Sequence, residues 1–287
     1  MSTLAADKRS SRTLLLWLLL PGLLALGVSF VMPMLWLLRA SFSTSAFGGP
    51  NGEWTLANYS TVIFDPFYWR VATNTLTYGL SVTFFAVLLS YPIALFLART
   101  TSRWRGLLTA LAIAPLLTSG VVRTYGWMVI LGDRGVINGT LQALSLTDAP
   151  IRLANNFLGA TIAMIEILMP YAILAILSGL GRLNAQLEEA AAMLGANRFK
   201  VFWRIILPLS LPGVLTAALL VFVLAISGFV TPRLMGGGRV FVLGTEVFSE
   251  ATVTLNWPLA AALALLLLII FSSVIILYRR ALRALEA

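Results

Sequence analysis

Six stretches of this chain are apolar for about twenty residues or more, and they restrict its fold more than anything else in it. They run Leu14–Leu38, Val71–Leu97, Leu107–Leu131, Phe157–Leu180, Leu211–Val230 and Pro258–Tyr278. At about 1.5 Å per residue, each can cross a hydrocarbon core of about 30 Å as a helix. Lipid offers no hydrogen bonds, so a spanning segment must satisfy its backbone internally, and a helix does so within one segment. Only 11% of residues are charged and 59% are hydrophobic, against about 25% charged in soluble domains. The expected fold is an all-α integral membrane protein with six transmembrane helices. The first stretch is longer than the apolar core of about 7–15 residues in a cleaved signal peptide and lacks a clear Ala-x-Ala site; it is read as an anchor. Pro33, Pro92, Pro115 and Pro170 fall inside spans and permit kinks, whereas Pro212 and Pro258 are placed at first turns, where proline is tolerated.

Charge sets the orientation. With the N-terminus inside, the cytoplasmic segments hold Lys8, Arg9, Arg12, Arg99, Arg103, Arg105, Arg182, Arg198, Lys200, Arg204, Arg279, Arg280 and Arg283 against Asp7, Glu188, Glu189 and Glu286. The outer loops balance six arginines against six acids, so the whole formal charge of +9 falls inside. Lys and Arg are retained on the cytoplasmic side, which gives N-in, C-in. The basic excess then faces anionic lipid, and no nucleic-acid partner is needed to explain it. A short surface helix is expected around Val136, Ile137, Leu141 and Leu144, with a turn at Asp148-Ala149-Pro150. The sequons at Asn58 and Asn138 are read as chance.

The chain contains no cysteine and no histidine, which removes disulfides, Cys/His metal sites and His-based nucleophilic catalysis. No catalytic residue, metal site or cofactor is expected. Gly236-Gly237-Gly238 resembles a phosphate loop only superficially, because such a loop continues into Gly-Lys-Ser/Thr. The two lysines, Lys8 and Lys200, are followed by Arg9 and Val201. The glycine run is read as a flexible outer loop, and any ATP that drives this chain is hydrolysed on another polypeptide.

Between the fourth and fifth spans lies the longest polar interruption of the second half. Leu187, Ala191 and Leu194 share one face of a short helix. Asn184 is its expected cap, and Glu188 and Glu189 sit at the positive end of its dipole. Gly195 should end that helix in a left-handed turn, and Asn197 should cap a second short helix. Glu189-Ala190-Ala191, three residues, Gly195, nine residues, Ile205, one residue and Leu207-Pro208 follow at fixed spacing. This pattern resembles the cytoplasmic-loop signature of the membrane subunits of binding-protein-dependent ABC importers. The resemblance implies a coupling helix that docks on a partner ATPase, carried by Glu188, Glu189, Ala190, Ala191, Gly195, Ala196, Arg198 and Phe199. It also implies a second permease subunit, two ATP-binding subunits that hold ATP and Mg, a periplasmic substrate-binding protein, and residence in the bacterial inner membrane. Gly195→Asp should uncouple ATP hydrolysis from transport.

Arg123 and Glu166 are the ionisable residues deep within spans. Each lies roughly 12–14 Å from the outer end of its helix at 1.5 Å per residue. A charge at mid-membrane costs at least ~2.5–3.5 kcal/mol, so each needs a partner or water. They either pair across the helices, or Glu166 lines the pathway and attracts a cation. Ser119, Gly120, Gly126 and Trp127 share the Arg123 face; Gly159, Ala163 and Pro170 share that of Glu166. Val122-Arg123-Thr124-Tyr125-Gly126, Gly135-Val136-Ile137-Asn138, Phe229-Val230-Thr231-Pro232, Leu234-Met235-Gly236-Gly237 and Trp257-Pro258 are similar to motifs of the spermidine/putrescine subgroup of these permeases. The resemblance runs from Gly106 to the C-terminus. It implies a polyamine substrate, with amino acids, opines and other organic cations as alternatives, and a stand-alone secondary transporter as the alternative of another class. Candidate pathway residues are Glu166, Arg123, Tyr125 and Trp127. The expected layout is a tail at 1–13, a first helix and outer loop at 14–70, a permease core at 71–280 with its coupling loop at 182–208, and a tail at 281–287.

Overall fold

The computed structural model describes residues 17–45, 52–181 and 186–286. Among them every regular element is a helix, and Ser43 and Trp54 form an isolated bridge. In chain order these are α1 (Trp17–Ser41), α2 (Ala57–Phe64), α3 (Pro66–Arg99), α4 (Arg105–Ile113), α5 (Gly120–Leu131), α6 (Val136–Ala143), α7 (Phe157–Leu180), α8 (Gln186–Met193), α9 (Arg198–Ser227), α10 (Val230–Met235), α11 (Leu243–Thr252) and α12 (Trp257–Glu286). Five are long and apolar enough to span a bilayer, and α4 with α5 supplies a sixth if that bent pair is one span.

Local chemistry sets several boundaries. Asp65 accepts from Phe67 N at 2.8 Å ahead of Pro66, so a side-chain cap and an N1 proline start α3 together. Asn156 accepts from Gly159 N at 2.8 Å to start α7. The bundle centre is α3, α7 and α9, packed on one another. Their facing positions are small: Gly79, Ala86 and Ala94 on α3, Ala160, Ala163 and Ala172 on α7, Gly213, Ala217 and Ala225 on α9. Apolar attraction gives no net pull between helices in lipid, so close backbone approach and its dispersion energy must hold them. Polar cross-ties pin the register: Tyr78 Oη donates to Ala160 O at 3.2 Å, Ser90 Oγ to Met169 O at 3.2 Å, and the Tyr91 and Ser210 hydroxyls meet at 2.9 Å. α1 is exposed along its length up to Ala40 and Ser41, which are buried, and leans on α12, where Trp36 meets Trp257 edge to face.

The third span departs from expectation. It is not continuous: α4 tightens into a 3₁₀ turn at Ala114–Leu117, Thr118 and Ser119 are extended, and the stretch Gly120–Ala143, α5 with α6, leaves at 95°. Pro115 lacks an N–H and its ring crowds the preceding turn, which breaks the ladder there. The fifth span starts earlier than Leu211. α9 runs unbroken from Arg198 through a π-helical turn at Phe202–Ile206, so Pro212 lies inside the helix and Pro208 takes the first turn of the α-helical part. The glycine run is not a loose loop. Gly237 (φ +55°) and Gly238 (φ +73°) make a tight turn, and a Cβ on Gly237 would fall 2.9 Å from Asn155 Cβ. The surface helix at Val136–Ala143 forms as expected. Asn138 is buried; its amide donates to Gly132 O and Ile151 O and its Oδ1 accepts from Ile151 N, so it clamps a loop and carries no glycan. The expected Asn184 cap, Arg182 and the basic tail at Lys8, Arg9 and Arg12 lie outside the described residues.

Candidate functional site

Two places carry the sequence-selected residues. The first is the α8–α9 junction, at the end of the bundle where α3 and α7 stop and α9 begins. Glu188 and Glu189 occupy the first turn of α8. Gly195 adopts φ +78°, and Ala196 N donates back to Ala191 O at 3.0 Å, the six-residue closure of a helix ended by a left-handed glycine. Asn197 Oδ1 accepts from Lys200 N at 2.8 Å, the cap that starts α9; such a cap is worth about 1 kcal/mol. The second helix of the junction is not free-standing, because it continues directly into the membrane-length α9.

The alternation of burial here is informative. Ala191 and Ala196 pack against the core of the bundle, which explains why these positions hold small side chains. Glu189, Ala190, Arg198 and Phe199 face outward. The apolar face predicted for Leu187, Ala191 and Leu194 splits: Leu194 is 88% exposed and neighbouring Met193 90%. With Phe199 and Trp203 also exposed, the loop presents an apolar patch beside basic Arg198 and Lys200. Clustered exposed hydrophobes of this kind mark an interaction surface. Glu188 pairs with Arg99, the last residue of α3. That pair ties the first turn of α8 to the central bundle. Sequence reasoning missed Arg99; its signal was a basic residue ending a span that returns to the end carrying the loop.

The second place is where α5 meets α7. Arg123 Nη1 lies 3.4 Å from Glu166 Oε1, and Nη2 reaches Ile167 O at 3.5 Å. Trp127 Nε1 donates to Glu166 Oε2 at 3.2 Å. The break after α4 allows this, since it turns α5 so that Arg123 and Trp127, one helical turn apart, both address α7. The Arg123 side chain is 13% exposed and that of Glu166 is 33% exposed. The remaining face of Glu166 opens on a recess of ≈ 270 Å³ lined also by Ile93, Leu111, Pro115, Met169 and Pro170. Pro115, which breaks the third span, and Pro170, inside the continuous α7, both border it, and Pro170 denies the Glu166 carbonyl its helical partner. The carboxylate is thus held on one side by a cation and an indole and open on the other. Tyr125 stands apart, more than half exposed on α5.

A family model, the binding-protein-dependent transport system inner membrane component, matches residues 5–286. The chain is 35% identical to the spermidine/putrescine transport system permease protein PotB of Haemophilus influenzae over 93% of its length and 90% of that protein's. It is 34% identical to PotB of Escherichia coli strain K12, over 95% of each. Among solved structures it matches a chain of a bacterial alginate ABC transporter in complex with an alginate pentasaccharide-bound periplasmic protein, with a TM-score of 0.77, 19% identity and 94% coverage of both chains.

Proposed function

This chain belongs to the family of inner membrane components of binding-protein-dependent transport systems, and on that premise we propose that it forms half of the pathway of an ATP-driven polyamine importer. It is a multi-pass protein of the bacterial inner membrane and a non-catalytic subunit. Nearly full-length similarity to two spermidine/putrescine permeases carries the choice of substrate.

In this reading the α8 end is cytoplasmic, as the concentration of Lys and Arg at that end supports. Two ATP-binding subunits supply ATP and Mg, a second permease completes the pore, and a periplasmic protein delivers the substrate. Met193, Leu194 and Phe199 would bury against the ATPase, with Glu189, Ala190 and Arg198 at the edge of that contact. Motion of the ATPase then reaches α3 through the Glu188–Arg99 pair and reaches α9 through its unbroken helix. The Glu166 carboxylate, open on one side within the spans, attracts an ammonium group on its way through. Arg123 and Trp127 set its orientation, and Tyr125 lies farther along the path.

Cells lacking this chain and any redundant polyamine system should lose uptake of radiolabelled spermidine and putrescine and recover it on complementation. Uptake that survives deletion would remove the polyamine from this reading. In the same cells Glu166→Gln is expected to lower uptake at least about tenfold, the scale of one charge-assisted contact. The yield of assembled complex in detergent should stay within about twofold of wild type, because Gln keeps the contact to Trp127. A variant complex that falls apart in detergent would make the pair a structural tie and take Glu166 out of the pathway.

A further inference from the structure

At the end of the bundle opposite the coupling loop, α10 and α11 enclose an open recess of ≈ 370 Å³. Arg233, Gly238, Val240, Phe241, Thr245, Glu246 and Ser249 line it. Its position is fixed by the bundle: Leu243 N donates to Thr75 Oγ1 of α3 at 2.8 Å, and Asn74 Nδ2 donates to Phe241 O at 3.2 Å. Glu246 is only 9% exposed, yet its side chain borders the recess. Among the described residues, no Lys or Arg nitrogen lies within 4.0 Å of its carboxylate, and no donor from another element reaches it. A carboxylate buried to this degree ordinarily has a counter-ion.

The cation nearest to hand is committed elsewhere. The Arg233 guanidinium sits 4.6 Å above the Phe248 ring, which is itself stacked on Phe229 at 4.6 Å. Arg233 itself borders the recess, so its charge is present there, but its guanidinium is engaged with the Phe248 ring and makes no ion pair with Glu246. Burial pushes the Glu246 carboxyl up from its ordinary value, and Glu250 one turn along adds to the push; Thr245 and Arg233 offset part of it. Burial and Glu250 together outweigh the positive charge that Arg233 brings to Glu246.

We propose that this recess is a receiving site for a primary ammonium group of the substrate, with Glu246 as its counter-ion. Ser249, one turn from Thr245 on the same lining, supplies a hydroxyl acceptor. Phe241, 40% exposed and braced edge to face by Phe67, offers a surface for the methylene chain. The site suits an alkyl amine, whose charge is compact and whose body is apolar. It rests on the polyamine reading and adds to it a first contact at the outer mouth, in a recess separate from the one that Glu166 lines. No Cys or His is present to recruit a metal here, and Glu246 alone among the acids lines the recess.

The test is uptake of labelled spermidine by the reconstituted transporter, with its ATPase inside and its loaded binding protein outside. Glu246→Gln should reduce uptake about tenfold, with Glu246→Asp recovering a good part of it. Co-purification of the binding protein with the complex should be unchanged. Ser249→Lys, which tethers an ammonium beside Glu246 and keeps the acid in place, should reduce uptake well beyond Ser249→Met, a neutral side chain of similar length. Wild-type uptake by Glu246→Gln would overturn the site, as would equal effects of Ser249→Lys and Ser249→Met. Loss of binding-protein co-purification in parallel with uptake would also overturn it, by assigning Glu246 to protein docking. A wild-type transporter that moves no polyamine would instead overturn the functional reading, and the site with it.

Discussion

Gly195→Val is expected to cut ATP-driven uptake by about tenfold or more while the ATPase subunits continue to turn over. The argument is conformational. Gly195 sits at φ +78°, and a Cβ added there meets nothing within 4 Å, so bulk is not the obstacle. The cost is the left-handed backbone itself, about 1–2 kcal/mol for an L-residue and worst when the side chain is β-branched. Relief requires φ to swing back, which undoes the Ala196 N to Ala191 O closure and re-aims α8 relative to α9. Asparagine tolerates this conformation best, so Gly195→Asn should keep most of the uptake. Gly195→Asp should fall between, since it adds a charge near the exposed Glu189 as well as some strain. Parallel measurement of uptake and ATP hydrolysis checks the series. Equal uptake by the Val and Asn variants would show that the elbow does not set coupling.

The second large effect is expected at the crossing of α7 and α9. Gly179 and Gly213 face each other so closely that a Cβ on Gly179 would lie 2.7 Å from Gly213 Cα, and one on Gly213 would lie 2.9 Å from Gly179 Cα. Neither obstacle is a flexible side chain; both are backbone. Gly213→Ala must push the helices apart, at a cost of about 1–3 kcal/mol for overpacking, and Gly213→Val must push them further. The yield of folded protein should fall several-fold for Ala and nearly to nothing for Val, with a lower melting temperature in detergent. The helices that separate are those flanking α8, so surviving Ala protein should also couple poorly. A Gly213→Val protein that melts like wild type would contradict this crossing.

Much of this architecture could be read from the sequence, for identifiable reasons. The helix Phe157–Leu180 coincides with the expected span because Asn156 caps its start, Gly181 caps its end and Glu166 is the one charged residue between them. The α8–α9 junction is legible because capping and left-handed glycine chemistry act over four or five residues. What was not legible depends on contacts across the bundle. Hydropathy reports how greasy Leu107–Leu131 is and cannot report that Pro115 turns it through 95°. The same bend decides that Arg123 meets Glu166; equal depth on consecutive helices made the pair plausible without orienting either. Arg99 looks like one more cytoplasmic arginine until α8 folds back on it. Glu246 looks like a solvated loop acid, because nothing local says that α11 is strapped to α3 through Thr75 and so buries it.

The central claim is that this chain passes polyamine only as the membrane half of an ATP-driven machine. The most direct test is accumulation of labelled spermidine by proteoliposomes holding the permeases, with ATPase and ATP inside and binding protein outside. Accumulation against a gradient that needs ATP, the ATPase and the binding protein together is the predicted result. Accumulation by this chain without the ATPase, or unchanged by removal of ATP, would contradict it and make the protein a transporter that works alone.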